Sequence, residues 1–279
     1  MDLRAAEDFH YSNQGGVFTL REMDDVEEFD NLQRALNTLN FSSEEAQAVI
    51  SVSAGLLHLG EIMVLSEVTG EGEGSKLDPK AEDEARTFCR LGGLNFDQLV
   101  TAMTTKTVET RFDRITTRLR PQLALDARDA LAKSLYSRLF DYLVKKININ
   151  LVCDRSLVEE SVSVLDIFGF ECFKLNSFEQ LCINYTNEKL QQQFNLFVFK
   201  MEQAEYEREG IEWSFNDFPD NQDCLDLIEG RKPDGILAML DDECSNPNGN
   251  DQNFASRLYK EFNQGGGKHH RFHADKRMV

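Results

Sequence analysis

Val162-Ser163-Val164-Leu165-Asp166-Ile167-Phe168-Gly169-Phe170-Glu171 runs, after a short link, into Asn176-Ser177-Phe178-Glu179-Gln180-Leu181-Cys182-Ile183-Asn184-Tyr185. The β-branched opening predicts a strand, and the Asp, Gly and Glu that follow predict a tight turn at its end. Asn176 and Ser177 are helix N-cap types, and Ser177 to Gln180 has the spacing of a capping box. Apolar residues then recur at Phe178, Leu181, Cys182, Tyr185, Leu190, Phe194, Phe197, Val198 and Met201, with no Gly or Pro before Gly210. Such a helix is roughly 50 Å long at the α-helical rise, more than one small core needs.

In a phosphoryl-transfer site the residues of such a turn have separate tasks. The strand-end Asp can hold a water of a bound Mg²⁺, and the Gly can bring its N–H against a γ-phosphate where a side chain would block approach. A carboxylate two residues on can close the site by pairing with an Arg from another loop. Taken alone, Asp-x-x-Gly reads as an ordinary strand-to-loop exit, and the aromatic stripe as a long core helix.

The run from Asp166 to Glu171, with Asn176-Ser177-Phe178-Glu179-Gln180-Leu181-Cys182-Ile183-Asn184-Tyr185-Thr186-Asn187-Glu188-Lys189-Leu190-Gln191-Gln192, resembles switch II and the relay helix of the myosin motor head. Glu209 to Trp213 resembles the relay loop, and Gly235 to Cys244 the start of the head's lower subdomain. Tyr11 to Gln14, Ala54 to Gly60 and Ala127 to Lys133 resemble its helical upper subdomain, so the likeness spans nearly the whole chain. It implies a mainly α fold with a few strands, a fragment of a P-loop NTPase-type α/β motor. The implied parts are 1–161, helices of the upper subdomain; 162–173, transducer strand and switch II; 174–219, relay helix and loop; and 220–279, the start of the lower subdomain.

The resemblance also implies roles. Asp166, Phe168 and Gly169 fall at the nucleotide, with Asp166 one water removed from Mg²⁺, and Gly169 and Glu171 carry the hydrolytic step. Phe199 and Phe218 match an aromatic pair at the relay kink, and Trp213 sits at the moving end. ATP and Mg²⁺ are the implied cofactors of a complete motor; its partners are the actin filament and the rest of the head, namely phosphate loop, switch I and converter. No Gly-x-x-x-x-Gly-Lys-Ser/Thr pattern occurs, since Gly70 to Gly74 is interleaved with Glu71 and Glu73, and Gly265-Gly266-Gly267-Lys268 lacks a strand-loop-helix setting. The chain therefore reads as an internal fragment that binds no nucleotide tightly alone. A second class stays open: a non-catalytic actin-binding or scaffold protein that keeps part of the motor fold.

With 279 residues, 41% of them hydrophobic, the chain can bury one large core or two smaller ones. No stretch is long and apolar enough to span a bilayer, and the opening Met1 to Asp8 has no signal-peptide character, which points to the cytoplasm; the resemblance implies the actin cytoskeleton. Six scattered cysteines predict reduced, buried thiols. The net charge of −19 argues against a general nucleic-acid binder. A local basic stretch, Lys106, Arg111, Arg114, Arg118 and Arg120, shows no sustained period between Thr104 and Pro121. It reads as a solvated loop or, by the resemblance, as the surface loop that meets the acidic actin filament. In that family one position of this loop is acidic or phosphorylated, and counting back from Asp129 places it at Asp113, between Arg111 and Arg114.

Elsewhere, helices are predicted from Asp25, with Val26, Phe29, Leu32, Leu36 and Leu39 on one face, and from the Ser42 cap to Gly60, joined by a hinge at Asn40-Phe41 that pairs the two side by side. Further helices are predicted over Ala81 to Leu91, Leu123 to Ile149, Asp223 to Ile228 and Phe254 to Phe262. Ser66 to Pro79 reads as a mobile Gly- and Glu-rich loop. His58 reads as a cation favoured at a helix C-terminus or as a satisfied core histidine, with no chemistry assigned. His269, His270 and His273 read as a solvated basic tail rather than a metal site.

Overall fold

The computed structural model describes residues 1–70, 72–109, 113–151, 153, 156, 158–211, 220–246, 249–263 and 269–273. It divides into two compact units, Met1–Glu160 and Ser161–Val279.

The first unit runs from a short helix α1 (His10–Asn13) through α2 (Asp25–Thr38), α3 (Ser43–Gly60), a hairpin of β1 (Val64–Thr69) and β2 (Gly72–Leu77), α4 (Glu82–Gly92) and α5 (Phe96–Thr104). A second hairpin of β3 (Thr105–Glu109) and β4 (Arg114–Arg118) leads to α6 (Pro121–Leu151). Local chemistry fixes most boundaries. Asp24 accepts from Val26 N at 2.9 Å, Ser42 and Glu45 form a reciprocal capping box, and Asn95 accepts from Gln98 N at 3.0 Å. Gly93 ends α4 in the left-handed conformation at φ 64°.

The main core gathers Leu56 and Leu59 of α3, Ile62 just beyond it, Ala85 and Phe88 of α4, Leu99 and Met103 of α5, and Ala132 of α6. A smaller cluster joins Leu36, Phe41 and Val49 to Leu139 and Leu143. The expected side-by-side pairing of α2 and α3 is only a corner. Asn40 turns the chain at φ 55°, Leu36 is buried, and Val26, Phe29 and Leu32 stay exposed.

Two expected loops are hairpins. Ser66 to Pro79 contains most of β1–β2, antiparallel with Glu67 opposite Gly74, because Gly72 adopts φ 114° and returns the chain. Thr104 to Pro121 contains β3–β4, whose Thr, Val and Ile residues suit a pleated pair; Thr107 and Thr116 hydroxyls meet across it at 2.9 Å.

Arg128 ties the unit together. Its guanidinium is 3% exposed, donates from Nη1 to the carbonyls of Gly60 at 2.9 Å and Ile62 at 3.0 Å, and pairs with Asp129 at 2.7 Å. Asp129 also accepts from the Tyr11 hydroxyl at 2.5 Å, and burial, reinforced by that hydrogen bond, pushes the Tyr11 phenol above its usual range. A cation thus caps the C-terminal end of α3, where orphan carbonyls and the helix dipole favour it. His58 is a satisfied core histidine, one of its two expected readings: buried, with Nδ1 2.5 Å from Glu84 Oε2 and Nε2 2.9 Å from the Met1 carbonyl.

In the second unit Val162 to Val164 is not a strand. Val162 is 98% exposed and nothing among the described residues pairs with it, and a lone extended segment has no ladder to satisfy its backbone. The long helix is present as α7 (Phe178–Phe194), a π-helical turn over Asn195–Lys200, and α8 (Met201–Arg208), closed by Gly210 at φ 68°. It is not a core helix: α7 buries no residue, and Phe178, Phe194 and Phe197 are exposed. Three short helices follow, α9 (Gln222–Glu229), α10 (Ile236–Ser245) and α11 (Asp251–Phe262), around Leu227, Met239 and Phe262.

All six cysteines are free, but only Cys89 is buried; Cys153, Cys172, Cys182 and Cys244 are exposed, which corrects the expectation of buried thiols. The histidine tail is partly docked, with His270 2.7 Å and Arg271 2.9 Å from Asp223 and Phe272 packed on the α10–α11 cluster. Among the described residues no helix is long and apolar enough to cross a membrane.

Removing the Arg128 guanidinium strands two buried carbonyls, so Arg128→Ala should cost about 3 kcal/mol in urea unfolding. Arg90→Ala, which breaks an exposed pair with Asp2, should stay within about 0.5 kcal/mol. Equal losses from the two would contradict the capping role.

Candidate functional site

The turn expected at Asp166 to Glu171 lies against one face of α7. Glu171 N donates to Asn184 Oδ1 at 2.8 Å, and Asn184 Nδ2 donates back to the Glu171 carbonyl at 2.8 Å. Asn187 Nδ2 donates to the Phe168 carbonyl at 3.0 Å, and Gln180 Nε2 reaches the Glu171 carboxylate at 3.4 Å. Three amides spaced i, i+4 and i+7 therefore hold the turn to the helix. Sequence reading missed them, although three amides on one stripe of an apolar helix were a visible signal. The cap of α7 is as expected, Ser177 N donating to Gln180 Oε1 at 2.8 Å.

Asp166, Ile167 and Phe168 form one wall of an open groove of about 440 Å³, and Ile183, Thr186 and Asn187 of α7 form the other. Asp166 and Phe168 are exposed and Glu171 is half-buried. A Cβ added at Gly169 would meet no atom within 4 Å, and its φ is not left-handed, so the local fold does not itself demand glycine there.

A second face of α7 carries Tyr185, Glu188, Lys189 and Gln192, rotated from the amide stripe by roughly 120° on a helical wheel. It docks on α9. Lys189 Nζ lies 2.7 Å from Glu229 Oε1, the Tyr185 hydroxyl donates to Glu229 Oε2, and Asn221 Nδ2 donates to the Glu188 carbonyl at 2.8 Å. Burial, then the Glu229 hydrogen bond, pushes the Tyr185 phenol up to about 12. The same helix thus grips the turn with one face and α9 with another. The backbone of Phe199 lies in the π-helical turn between α7 and α8, a rare geometry that is frequent at functional sites. Trp213 and Phe218 lie outside the described residues.

The other expected site, on β3–β4, is less basic than its sequence. Asp113 Oδ1 accepts from Arg114 N at 2.8 Å, and Arg114 Nε lies 3.4 Å from Glu109. Arg118 pairs with Glu67, and Arg120 lies 3.6 Å from Glu73, both acids belonging to the β1–β2 hairpin. Lys106 is exposed and, among the described residues, forms no ion pair; Arg111 lies outside them. Folding brings acids to most of this cluster, so it is not the free basic patch expected.

The family model of the myosin head (motor domain) matches residues 1–278. The chain belongs to the myosin head family. It is 46% identical to myosin-8 of Arabidopsis thaliana over 91% of this chain and 17% of that protein. It is also 41% identical to myosin-1 of Arabidopsis thaliana over 92% of this chain and 22% of that one. For unconventional myosin-Vb of Rattus norvegicus the figures are 42% identity, 92% and 14%. The chain spans about a fifth or less of the length of these relatives.

Within this piece of myosin head, the α7–α9 contact should be acid-sensitive. Hydrogen bonds from Lys189, then Tyr185, hold the Glu229 carboxyl below its ordinary value of 4.5. A lowered folded value means that the contribution is complete above that ordinary value and fades as pH falls through the folded one. Amide exchange over Gln222 to Glu229 should therefore accelerate below about pH 4.5 beyond its intrinsic rate, and Glu229→Gln should remove that pH step. An unchanged step in Glu229→Gln would assign the acid response to another group.

Proposed function

We propose that this chain is the part of an actin-based, ATP-driven motor that couples γ-phosphate sensing at the Asp166–Glu171 turn to movement of the α7–α8 helix. The observation that carries the reading is the reciprocal amide pair between Asn184 and the Glu171 backbone, because it ties the chemically competent turn to a long lever. Residues 1–161 would be helices of the upper subdomain, 162–173 switch II and the segment before it, which would become a transducer strand only beside its sheet neighbours in a complete head, 174–219 the relay helix and loop, and 220–279 the start of the lower subdomain.

The residues present suit ATP and Mg²⁺. Asp166 is exposed on the groove wall and would accept from a water on the ion, and the Gly169 N–H would meet the γ-phosphate. The ion would supply neutralisation of phosphate charge. Glu171, half-buried beside Gln180, would pair with an arginine supplied elsewhere in a head and so position the attacking water. The π-helical turn gives the lever a place to bend, and the α9 contact gives it a body to carry. Val162, Val164, Leu165 and Phe168 are exposed, which fits a segment that sheet neighbours in a complete head would cover. Asp113, just before β4 begins at Arg114, would supply the fixed negative charge of an actin-facing loop without phosphorylation.

Three outcomes test this reading. The 279-residue chain alone should show no actin-stimulated phosphate release, since it has no phosphate-cradling loop motif. In a complete head, Gly169→Ala should cut hydrolysis at least about a hundredfold. The unfolding midpoint should not move, because the added Cβ meets nothing. Near-normal turnover in that variant would refute the assigned role. At the filament contact, Asp113→Ala should lower actin-activated turnover while basal turnover holds, and Asp113→Glu should be tolerated. A flat or improved response to Asp113→Ala would reduce Asp113 to an acid that merely offsets nearby arginines.

A further inference from the structure

The two hairpins of the first unit meet through one side chain. Arg118 closes the open end of β3–β4, opposite Thr105 in the register. Its guanidinium pairs with Glu67, donates to Thr69 Oγ1 at 3.1 Å and reaches the Ser75 carbonyl at 3.4 Å. It lies across the cross-strand pair of Glu67 and Gly74. A Cβ on Gly74 would sit 2.8 Å from Arg118 Nε and 3.0 Å from Arg118 Cβ. The second of those atoms lies next to the β4 backbone and cannot swing aside, so glycine at 74 is what opens the slot. Arg118 is also set apart from its neighbours: its side chain is 27% exposed, against 72% for Arg114 and 73% for Arg120. A planar fork with several fixed donors suits three acceptors at once, which a lysine cannot reproduce.

We propose that Arg118 is a positioning residue for filament docking: seated over Gly74 and held by Glu67, it sets the direction in which β3–β4 projects from the β1–β2 hairpin. The inference rests on the reading of β3–β4 as the actin-facing hairpin. Asp113 stands five residues from Arg118, about 17 Å along a strand, so a tilt of about 10° at the base displaces that end by about 3 Å. Such a displacement separates a hydrogen-bonding distance from none. Glu67 and Gly74 therefore act on docking without touching the filament.

The discriminating property is the sign for Glu67. Against an acidic filament, simple electrostatics says that removing a negative charge tightens binding. The clamp says the reverse. In a complete head carrying this sequence, Glu67→Gln, Gly74→Ala and Arg118→Lys should each raise the KM for actin about fivefold, with kcat and basal turnover unchanged. In the 279-residue chain itself, Gly74→Ala should accelerate amide exchange across both Thr105–Glu109 and Arg114–Arg118. A lowered or unchanged KM in Glu67→Gln, or an Arg118→Lys head equal to wild type, would overturn the inference. So would exchange that does not respond to Gly74→Ala. A wild-type head with no actin activation would instead refute the actin reading, with the exchange measurement still deciding whether the clamp exists.

Discussion

A guanidinium with no room to move sets the frame of the first unit. Arg128 satisfies the Gly60 and Ile62 carbonyls, which otherwise end α3 inside the core without partners. Its own charge is met by Asp129, which Tyr11 also contacts. A buried cation with one partner missing is far costlier than one never buried, so α6, the end of α3 and the start of the chain are bound to a single arrangement. Both hairpins leave from that frame: β1 begins just past Ile62, and β4 ends just before α6. Whatever the hairpins present to a partner inherits its direction from this node.

The second unit works differently. It buries little along its long helix and instead decorates it with two polar contacts on two faces. Amide groups hold the turn, and a tyrosine, a lysine and a glutamate hold α9. Polar contacts of this kind are individually modest, and their loss on one face does not collapse the other. That suits a part that shifts between discrete arrangements rather than one that only packs. The π-helical turn after α7 adds one of the few features at which long helices kink.

Helix starts were legible because a few side chains decide them: Ser42 with Glu45 and Ser177 with Gln180 each do what their spacing says, and α2 begins at Asp25 as expected. The hairpins were not, since their strands are short and rich in Gly, Glu and Thr, and their stability comes from cross-strand partners such as Thr107 with Thr116. Val162 to Val164 failed the other way, with strand-forming residues and no neighbour to pair with. Burial of thiols was over-read for the same reason, because exposure depends on what covers a surface. In the site, Asp166, Gly169 and Glu171 stood out by chemistry, whereas Asn184 and Asn187 did not, because amides carry no charge and belong to no motif taken alone. Arg128 left a trace that could have been followed, a charged residue on the inward stripe shared with Ala124 and Ala132.

In the proposed coupling, Asn184 transmits the state of the turn to the helix. The most direct measurement is nucleotide-dependent fluorescence in a complete head that retains Trp213 as its sole tryptophan, compared between wild type and Asn184→Ala. The account predicts that Asn184→Ala still binds nucleotide but loses most of the ATP-induced change at Trp213. A full-sized change in that variant would contradict it.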